Sequence, residues 1–414
     1  MFSRKFIAAT EEYCTHEKFI SAPLLRKSFF LDEFPKYANI TICGLGFYKL
    51  FLNGKEITKG YFSSYQSNPD HLLYYDCYEV TNLLVNGENV IGVLLGNGLL
   101  NSIGGQVWEF DQASYCSAPK LAMAFETERG VIFEAEESFK TYSSAITFDD
   151  FREGEHYDAR LETEGWLETG YNDSAWQNAI TATAPLGEVT VSTAPTLQVA
   201  EIIPPRNVHK FQDGYIYDFG KNTSGFARVS LKNAEAGQVL RFTYFERLGD
   251  DNGPYIDNIR FLGGRTREGF CQQIQYTCKA GAQTYEPSFS WCGYRYIYLQ
   301  GLTETQAQDL EILALDIHAD VKIRGGFSCN DPLVNKIIDV ILRSDLTNLF
   351  HYPVDCPHRE KNGWTADAAL SCEQMLLQMN VEDILTEWLK NIRKAQNQEG
   401  ALPGIIPTGG WGYK

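Results

Sequence analysis

The chain has 414 residues, more than a single hydrophobic core usually organises, so two or more domains are expected. Its formal net charge of −17 argues against nucleic acid as a partner, because nucleic-acid binding depends on Lys and Arg side chains that neutralise phosphates. With 44% hydrophobic and 21% charged residues and no run of ~18 apolar residues, the composition predicts a globular protein that does not cross a membrane.

The N-terminal segment and the cysteines bear on the compartment. Glu11 and Glu12 interrupt the first residues before an apolar stretch of signal-peptide length develops, which predicts a cytoplasmic location. The ten cysteines show no Cys-x-x-Cys pair and no regular spacing, so we expect neither a disulfide scaffold nor a metal site, and no cofactor. A homodimer is compatible with the sequence, which does not set the number of subunits.

Residues 1–182 contain short apolar and aromatic runs separated by turn signals, such as the Asn53-Gly54 and Asn86-Gly87 pairs. Asn-Gly between two such runs is a strong hairpin signal, because both residues accept the positive φ angles of a type I′ turn. Strands at this short spacing, with no helical pattern between them, predict an all-β domain of the sandwich or jelly-roll type.

The next two segments differ in composition. Residues 183–205 are rich in Ala, Thr and Pro and show little periodicity, which predicts a linker between domains. Residues 206–318 return to apolar runs typical of strands, for example Val239–Phe245. They therefore predict a second β-sandwich domain.

The pattern becomes helical in residues 319–414. Asp331 and Pro332 predict a helix start, since Asp caps a helix and Pro suits its first position. Two more helices are predicted over residues 368–379 and 381–395, where apolar residues recur at helical spacing. Three helices beside two β domains leave apolar faces without partners, so we expect this region to be the start of an incomplete helical domain.

The sequence contains no Gly-x-Gly-x-x-Gly, no Walker A lysine loop, no His-Glu-x-x-His and no Gly-x-Ser-x-Gly elbow. What remains is a cluster of carboxylates with an arginine and a tryptophan in one segment: Asp355, Arg359, Glu360, Trp364 and Asp367. Pro357 and Gly363 lie among them and disfavour helix, so we expect this segment to be a loop between two helices.

Such a loop can direct several carboxylates into one cavity. Glycoside hydrolysis uses one carboxyl group to protonate the leaving oxygen, a second to activate water, and an aromatic ring that packs on the sugar. The spacing alone also fits a purely structural interpretation. In it, Asp355 caps a turn, Glu360 is solvated, and Asp367 lies in the first turn of a helix, where the helix dipole favours negative charge.

The segment 355–367 resembles the Asp-Cys-Pro-x-Arg-Glu-x-x-Gly-Trp-x-x-Asp signature of the bacterial α-L-rhamnosidases, glycoside hydrolase family 78, and has every fixed position of it. The resemblance extends over nearly the whole chain. Segments similar to the N-terminal and second β domains of the family are Tyr48–Lys55, Gly154–Arg160, Asp173–Trp176, Asp218–Gly225 and Pro287–Tyr296.

The resemblance implies a fold and a set of roles. Residues 319–414 would begin an (α/α)6 barrel, a six-hairpin glycosidase domain that hydrolyses terminal α-L-rhamnose with inversion. Glu360 matches the general acid of the family. Asp355 and Asp367 match carboxylates that hold the rhamnose hydroxyls and tune this acid, because like charges raise a pKa, and Arg359 and Trp364 would line the same pocket.

The general base of the family lies far beyond the signature, at a position that would follow Lys414. Glu373, Glu382 and Glu387 lie in the predicted helices and are expected to be ordinary helix residues. The chain is thus expected to be a fragment, inactive alone, of an α-L-rhamnosidase acting on a rhamnose-containing glycoside or oligosaccharide. Two alternatives stay open: a carbohydrate-binding β-sandwich protein without catalysis, and a related (α/α)6 glycoside hydrolase acting on another sugar.

Overall fold

The computed structural model describes residues 2–15, 17–102, 108–260 and 272–413. The strands of the first half, in chain order, are β1 (Phe6–Ala8), β2 (Pro23–Leu31), β3 (Ala38–Leu45), β4 (Phe47–Leu52), β5 (Lys55–Glu56), β6 (Leu72–Tyr74), β7 (Asp76–Glu79), β8 (Gly87–Gly96), β9 (Lys120–Thr127), β10 (Gly130–Glu134), β11 (Lys140–Ser143), β12 (Ile146–Asp150), β13 (Gly154–Asp158), β14 (Gln177–Asn178), β15 (Ile180–Ala182) and β16 (Glu188–Thr190). Short 3-10 turns occupy Thr81–Leu83, Phe110–Gln112 and Ala159–Leu161.

The second half begins with strands and ends with helices. The strands are β17 (Leu197–Ile203), β18 (Asn207–Phe211), β19 (Gly214–Ala234), β20 (Val239–Phe245), β21 (Gln273–Thr277), β22 (Gly281–Tyr285), β23 (Cys292–Gln300) and β24 (Glu311–Ala319). The helices are α1 (Glu304–Asp309), α2 (Pro332–Thr347), α3 (Thr365–Gln378) and α4 (Glu382–Lys394). The mainly β architecture with a helical C-terminal part confirms the predicted fold class.

Two sheets form the N-terminal sandwich. In the described ranges, one has the strand order β15-β1-β9-β3-β7 with β10 added to β9, and the other has the order β14-β11-β2-β8-β4-β5. Alternate residues of each sheet point into one shared core, where Ile42 and Phe125 of the first sheet are as buried as Leu50 and Ile91 of the second. The packing of two apolar faces against each other is what makes this region a sandwich.

The second β region is built around the long strand β19, which pairs with β18, β22, β23 and β24. Along the main path of this sheet, as far as the chain is described, the order is β12-β13-β21-β20-β23-β19-β24-β17. Its apolar side chains share one buried cluster with Phe350 and Trp388 of the helical region. The helices therefore pack directly on the second β region.

The strand pairing differs from the predicted domain boundaries in two places. Strands β12 and β13 belong to residues 1–182 in sequence, yet β13 pairs in parallel with β21 and so extends the second sheet. The expected linker, residues 183–205, contains β16, which pairs with β6, and β17, which pairs with β24. Neither strand was predicted, because the segment shows little periodicity: one strand is only three residues long, and the other lies at a sheet edge.

The three predicted helices are confirmed with small shifts of their ends. Asp331 caps α2 by accepting a hydrogen bond from the Leu333 amide at 2.8 Å, and Pro332 is the first helical residue. In the described part of the chain, no helix is long and apolar enough to cross a membrane. The nine described cysteines are free thiols; Cys271 lies outside the described residues.

Candidate active site

The segment between α2 and α3 is a loop, as predicted, and it is closed on itself. The Asp355 amide donates to the Asn362 carbonyl at 3.0 Å, and the Asn362 amide donates to Asp355 Oδ1 at 2.9 Å. Gly363 then lies so close to the chain that a Cβ there would be 2.1 Å from the Ile406 carbonyl oxygen. The loop thus needs both the carboxylate and the glycine for its shape.

Glu360 and Trp364 meet inside this loop. The indole Nε1 of Trp364 donates a hydrogen bond to Glu360 Oε2 at 2.7 Å, which fixes the carboxyl group beside the ring. Trp411 packs edge-on against Trp364, with ring centroids 5.6 Å apart and planes at 82°. A partly exposed carboxyl group fixed beside an aromatic ring is suited to donate a proton to a sugar oxygen while the ring packs on the sugar.

Asp355 is the carboxyl group whose pKa the site changes most clearly. Burial and, to a lesser extent, the nearby charge of Glu360 raise the pKa of Asp355 to about 7, although hydrogen bonds from Cys356 and Asn362 oppose the shift. Close to neutral pH, Asp355 can therefore hold a proton and donate a hydrogen bond. The shift falls on Asp355 and is caused mainly by burial, whereas like-charge repulsion was expected to act on Glu360.

Arg359 faces a residue of the second β region. Glu246, which follows β20, feels the positive charge of Arg359, but burial still raises the pKa of Glu246. His358 Nδ1 lies 4.0 Å from Glu246 Oε1, and burial lowers the pKa of His358 to about 4, so this ring is neutral at pH 7. Arg359 Nε is buried and has no hydrogen-bond partner within the described ranges.

Asp367 is placed differently from the other predicted residues. It is exposed in the first turn of α3, where negative charge is favoured by the helix dipole. Among the described residues, no hydrogen bond or ion pair links its carboxylate to Asp355 or Glu360. The structure thus joins Asp355, Glu360, Trp364 and Arg359 on one loop and leaves Asp367 at its edge.

We call residues 355–364, which carry Glu360, the acid loop. Arg152, in the turn between β12 and β13, contacts this loop from the N-terminal half of the chain. Its Nε donates to the Glu360 carbonyl at 2.6 Å, one terminal nitrogen donates to Asn362 Oδ1 at 2.6 Å, and the other donates to Ser102 Oγ at 2.5 Å. The guanidinium lies 4.3 Å from the centre of the Phe151 ring and is 1% exposed. It therefore fixes the main chain of Glu360 without reaching the solvent.

Lys361, the residue after Glu360, extends from the acid loop and binds main-chain carbonyls of the β segments. Its ammonium group donates to the carbonyls of Phe151, in the turn between β12 and β13, and of Trp291, just before β23, and lies 4.7 Å from the centre of the Trp291 ring. Burial lowers the pKa of Lys361 to about 8. The two cations together position the acid loop against the second β region, and Arg152 also connects it to Ser102, which follows β8 of the N-terminal sandwich.

Sequence reasoning missed Arg152, Glu246, Lys361 and Trp411 as residues of this region. Arg152 is 208 positions from Glu360, and no sequence pattern links the two. Lys361 lies within the predicted loop, yet nothing in the sequence assigned it a role.

Three family models match the chain in succession. They describe the α-L-rhamnosidase N-terminal domain over residues 34–201, the bacterial α-L-rhamnosidase concanavalin-like domain over 209–318, and the bacterial α-L-rhamnosidase six-hairpin glycosidase domain over 322–414. The matched ranges follow one another with short gaps, so almost all of the chain after residue 33 is covered.

Curated relatives agree with these matches. An α-L-rhamnosidase of Formosa agariphila is 32% identical over 383 residues, which is 90% of this chain and 40% of that protein. An α-L-rhamnosidase of Streptomyces avermitilis is 27% identical over 381 residues, 90% of this chain and 36% of that protein. The chain thus spans about two fifths of the length of the curated relatives that it matches.

Solved structures show the same relationship. The α-L-rhamnosidase of Dictyoglomus thermophilum matches with a TM-score of 0.88 at 29% identity, over 99% of this chain and 46% of that one. The Streptomyces avermitilis α-L-rhamnosidase, solved with L-rhamnose, matches with a TM-score of 0.84 at 25% identity, over 94% of this chain and 38% of that one. These folds therefore coincide with this chain across both β regions and the first helices.

Proposed function

Because the chain belongs to the bacterial α-L-rhamnosidase family, we propose that it supplies the proton donor and part of the sugar pocket of an enzyme that removes terminal α-L-rhamnose from glycosides or oligosaccharides with inversion. The observation that carries this proposal is the Glu360 carboxyl group held by the indole of Trp364 on the closed loop between α2 and α3. Relatives of the same architecture are α-L-rhamnosidases.

In this mechanism, the Glu360 carboxyl group gives its proton to the glycosidic oxygen as the bond to the sugar breaks. Asp355, protonated close to neutral pH, donates a hydrogen bond to a sugar hydroxyl, and the Arg359 guanidinium, which lies beside Glu246, lines the same pocket. The face of Trp364 packs on the sugar ring. Asp367 could join them only if the sugar reaches the exposed first turn of α3.

Inversion also needs a carboxylate that activates water, roughly 6.5–9.5 Å from the acid. We place this general base in the part of the whole protein that follows residue 414. The lengths of the curated relatives support this placement, since the chain spans about two fifths of each.

The test compares this chain with a version extended through the rest of its reading frame, using 4-nitrophenyl α-L-rhamnopyranoside. We expect the extended protein to turn over at an ordinary enzyme rate, on the order of 10 s⁻¹, and the 414-residue chain to show no comparable turnover. Glu360→Gln in the extended protein should lower kcat by at least ~100-fold, the usual contribution of a general acid.

Glu373→Gln is the matched control, because Glu373 is an exposed glutamate of α3. An unchanged rate in Glu360→Gln would remove the acid assignment, and turnover by the 414-residue chain would place a base within it. Equal or better hydrolysis of the corresponding fucoside or glucoside would favour a related enzyme for another sugar.

We also propose a reducing compartment, the cytoplasm, for the whole protein. The free thiols of the nine described cysteines support it, since oxidising compartments favour disulfides. Fractionation of the producing cells, with activity measured in each fraction, would test this location.

A further inference from the structure

Arg152 is connected to both carboxyl groups of the acid loop. Its Nε donates to the Glu360 carbonyl at 2.6 Å, and a terminal nitrogen donates to Asn362 Oδ1 at 2.6 Å. The Asn362 amide in turn donates to Asp355 Oδ1 at 2.9 Å. We propose that Arg152 is a positioning residue of the hydrolysis, which sets where the carboxyl groups of Glu360 and Asp355 lie relative to each other.

The guanidinium group can set a position because its own position is fixed. Its third nitrogen donates to Ser102 Oγ at 2.5 Å, and the group packs on Phe151 and Phe110, 4.3 and 5.0 Å from the ring centres. Asp150 Oδ1 accepts a hydrogen bond from the Arg152 amide at 2.8 Å and so holds the turn that carries the side chain. All three nitrogens are therefore engaged at once, in the directions that a planar guanidinium imposes.

The side chain acts on the reaction without touching the substrate. Arg152 is 1% exposed, so a bound sugar does not reach it. The inference rests on the proposed function, in which Glu360 is the proton donor. A displacement of ~1 Å at a reacting group can lower a rate by roughly 100-fold, because a general acid must lie within hydrogen-bond reach of the oxygen that it protonates. Loss of the Arg152 contacts should therefore slow proton transfer from Glu360 more than it weakens sugar binding.

Arg152→Lys separates geometry from charge. A lysine ammonium keeps the positive charge, but it is a compact group on a flexible stem and does not reproduce three bonds in fixed directions. Arg26→Lys is the matched control, since Arg26 is also 1% exposed. Its acceptors are carbonyl and carboxylate oxygens of residues 166–173, which lie outside the acid loop.

Two rhamnosides with different leaving groups, hydrolysed by the extended protein, distinguish a positioning role from a purely structural one. Benzyl α-L-rhamnopyranoside needs a proton on its leaving oxygen, whereas the 2,4-dinitrophenyl rhamnoside releases a stable phenolate without one. We expect Arg152→Lys to lower kcat by about 100-fold for the benzyl substrate and by less than about fivefold for the dinitrophenyl substrate, with KM within about threefold for both. Glu360→Gln should show the same dependence on the leaving group, and Arg26→Lys should change neither rate.

Ser102→Ala provides a milder variant, in case Arg152→Lys does not fold. It removes one of the three acceptors of Arg152 with a nearly isosteric side chain. We expect a smaller loss than in Arg152→Lys, again confined to the benzyl substrate. Near-ultraviolet circular dichroism verifies that each variant is folded.

A second measurement does not depend on hydrolysis. The indole Nε1 of Trp364 donates to Glu360 Oε2 at 2.7 Å, so its N–H resonance reports the position of this carboxyl group. In the 414-residue chain labelled with ¹⁵N-tryptophan, this resonance, assigned with Trp364→Phe, should move in Arg152→Lys and stay in place in Arg26→Lys.

Equal losses for the two rhamnosides in Arg152→Lys and Ser102→Ala would overturn the proposal, because a structural defect slows both reactions alike. An indole resonance that Arg152→Lys leaves in place would overturn it as well. A rate that falls in Glu360→Gln but not in Arg152→Lys removes the positioning role and leaves the enzyme. A rate that Glu360→Gln leaves unchanged removes the acid assignment, whereas a resonance moved by Arg152→Lys still shows that Arg152 positions the Glu360 carboxyl group.

Discussion

Asp355 shows how one loop gives two carboxyl groups different tasks. Its side chain closes the loop by accepting the Asn362 amide, and burial raises its pKa to about 7. Glu360, five positions later, is directed instead toward the indole of Trp364. The Asp355 carboxyl group thus shapes the pocket and carries a proton there. The Glu360 carboxyl group does not hold the main chain of the loop and can react.

The raised pKa makes stability depend on pH in a definite direction. The pKa of Asp355 is 3.8 in an unfolded chain and about 7 when folded, so its favourable contribution is complete below pH 3.8 and is lost as the pH rises through 7. Asp355→Asn, which mimics the protonated form, should therefore raise the free energy of unfolding at pH 8 by an amount on the order of 1–4 kcal/mol, and have little effect at pH 4.

Denaturant unfolding at both pH values measures this difference. Asp367→Asn serves as the control for removing an exposed carboxyl group from the same region. A gain for Asp355→Asn that is the same at both values would mean that the carboxyl group is ionised in the folded protein throughout.

Residues that lie together in sequence were the ones that sequence reasoning could place. Asp355, Glu360 and Trp364 fall within ten positions, so their contact needs only a loop between two helices. Arg152 and Glu246 reach the same loop because β13 pairs with β21 and β21 pairs with β20. Such proximity arises from strand pairing between distant segments, which hydrophobic periodicity does not specify.

At the level of elements, α4 shows that hydrophobic periodicity predicts the bounds of a helix but not the partners of a buried charged residue on it. Its bounds were predicted within two residues because Ile384 and Trp388 recur at helical spacing on the buried face. Glu387 lies on that face too and is 0% exposed, whereas it was expected to be an ordinary helix residue. Tyr74 OH donates to it at 2.7 Å and the Thr193 amide at 2.9 Å. Both partners come from the first 200 residues.

Glu387→Gln should therefore destabilise the chain. Burial by itself would raise the pKa of Glu387, but hydrogen bonds from Thr193, Tyr74 and Lys390 outweigh it and hold the pKa below 4.5. Each hydrogen bond to a charged group contributes about 1.5–3 kcal/mol, so we expect a loss of at least that size at pH 7. The loss should shrink as the pH falls below 4.5, because the wild-type carboxylate then becomes protonated.

Chemical unfolding at pH 7 and pH 4 gives the comparison, with the exposed Glu373→Gln as reference. If the two variants unfold alike at pH 7, the buried carboxylate does not fasten α4 to the β regions.

At the level of the whole molecule, the helical region is apolar on its outside. Leu370 and Leu377, two turns apart on α3, are 89% and 70% exposed, and an apolar groove between α3 and α4 is lined by Leu376, Leu385 and Ile392. Monomeric proteins rarely leave such surfaces uncovered. Further helices of a six-hairpin domain, in the longer protein proposed above, would cover them.

The 414-residue chain should accordingly self-associate. Sedimentation velocity over a wide concentration range should show a mean mass that rises with concentration, and the double variant Leu370→Glu with Leu377→Glu should remain monomeric with an unchanged melting profile. Lys336→Glu, an exposed change on α2, controls for charge alone. A wild-type chain that stays monomeric contradicts this expectation, and a mass that stops at twice the monomer would indicate a homodimer.

The contacts of Arg152 and Lys361 bear on the order in which the protein is made. Phe151, Arg152 and Trp291 leave the ribosome before the acid loop, and domains generally fold as they emerge, N-terminal first. Residues 355–364 can thus fold against β regions that have already formed. A helical domain produced without the β regions would lack these contacts to the loop. The β regions therefore belong to the smallest unit that can form the active centre.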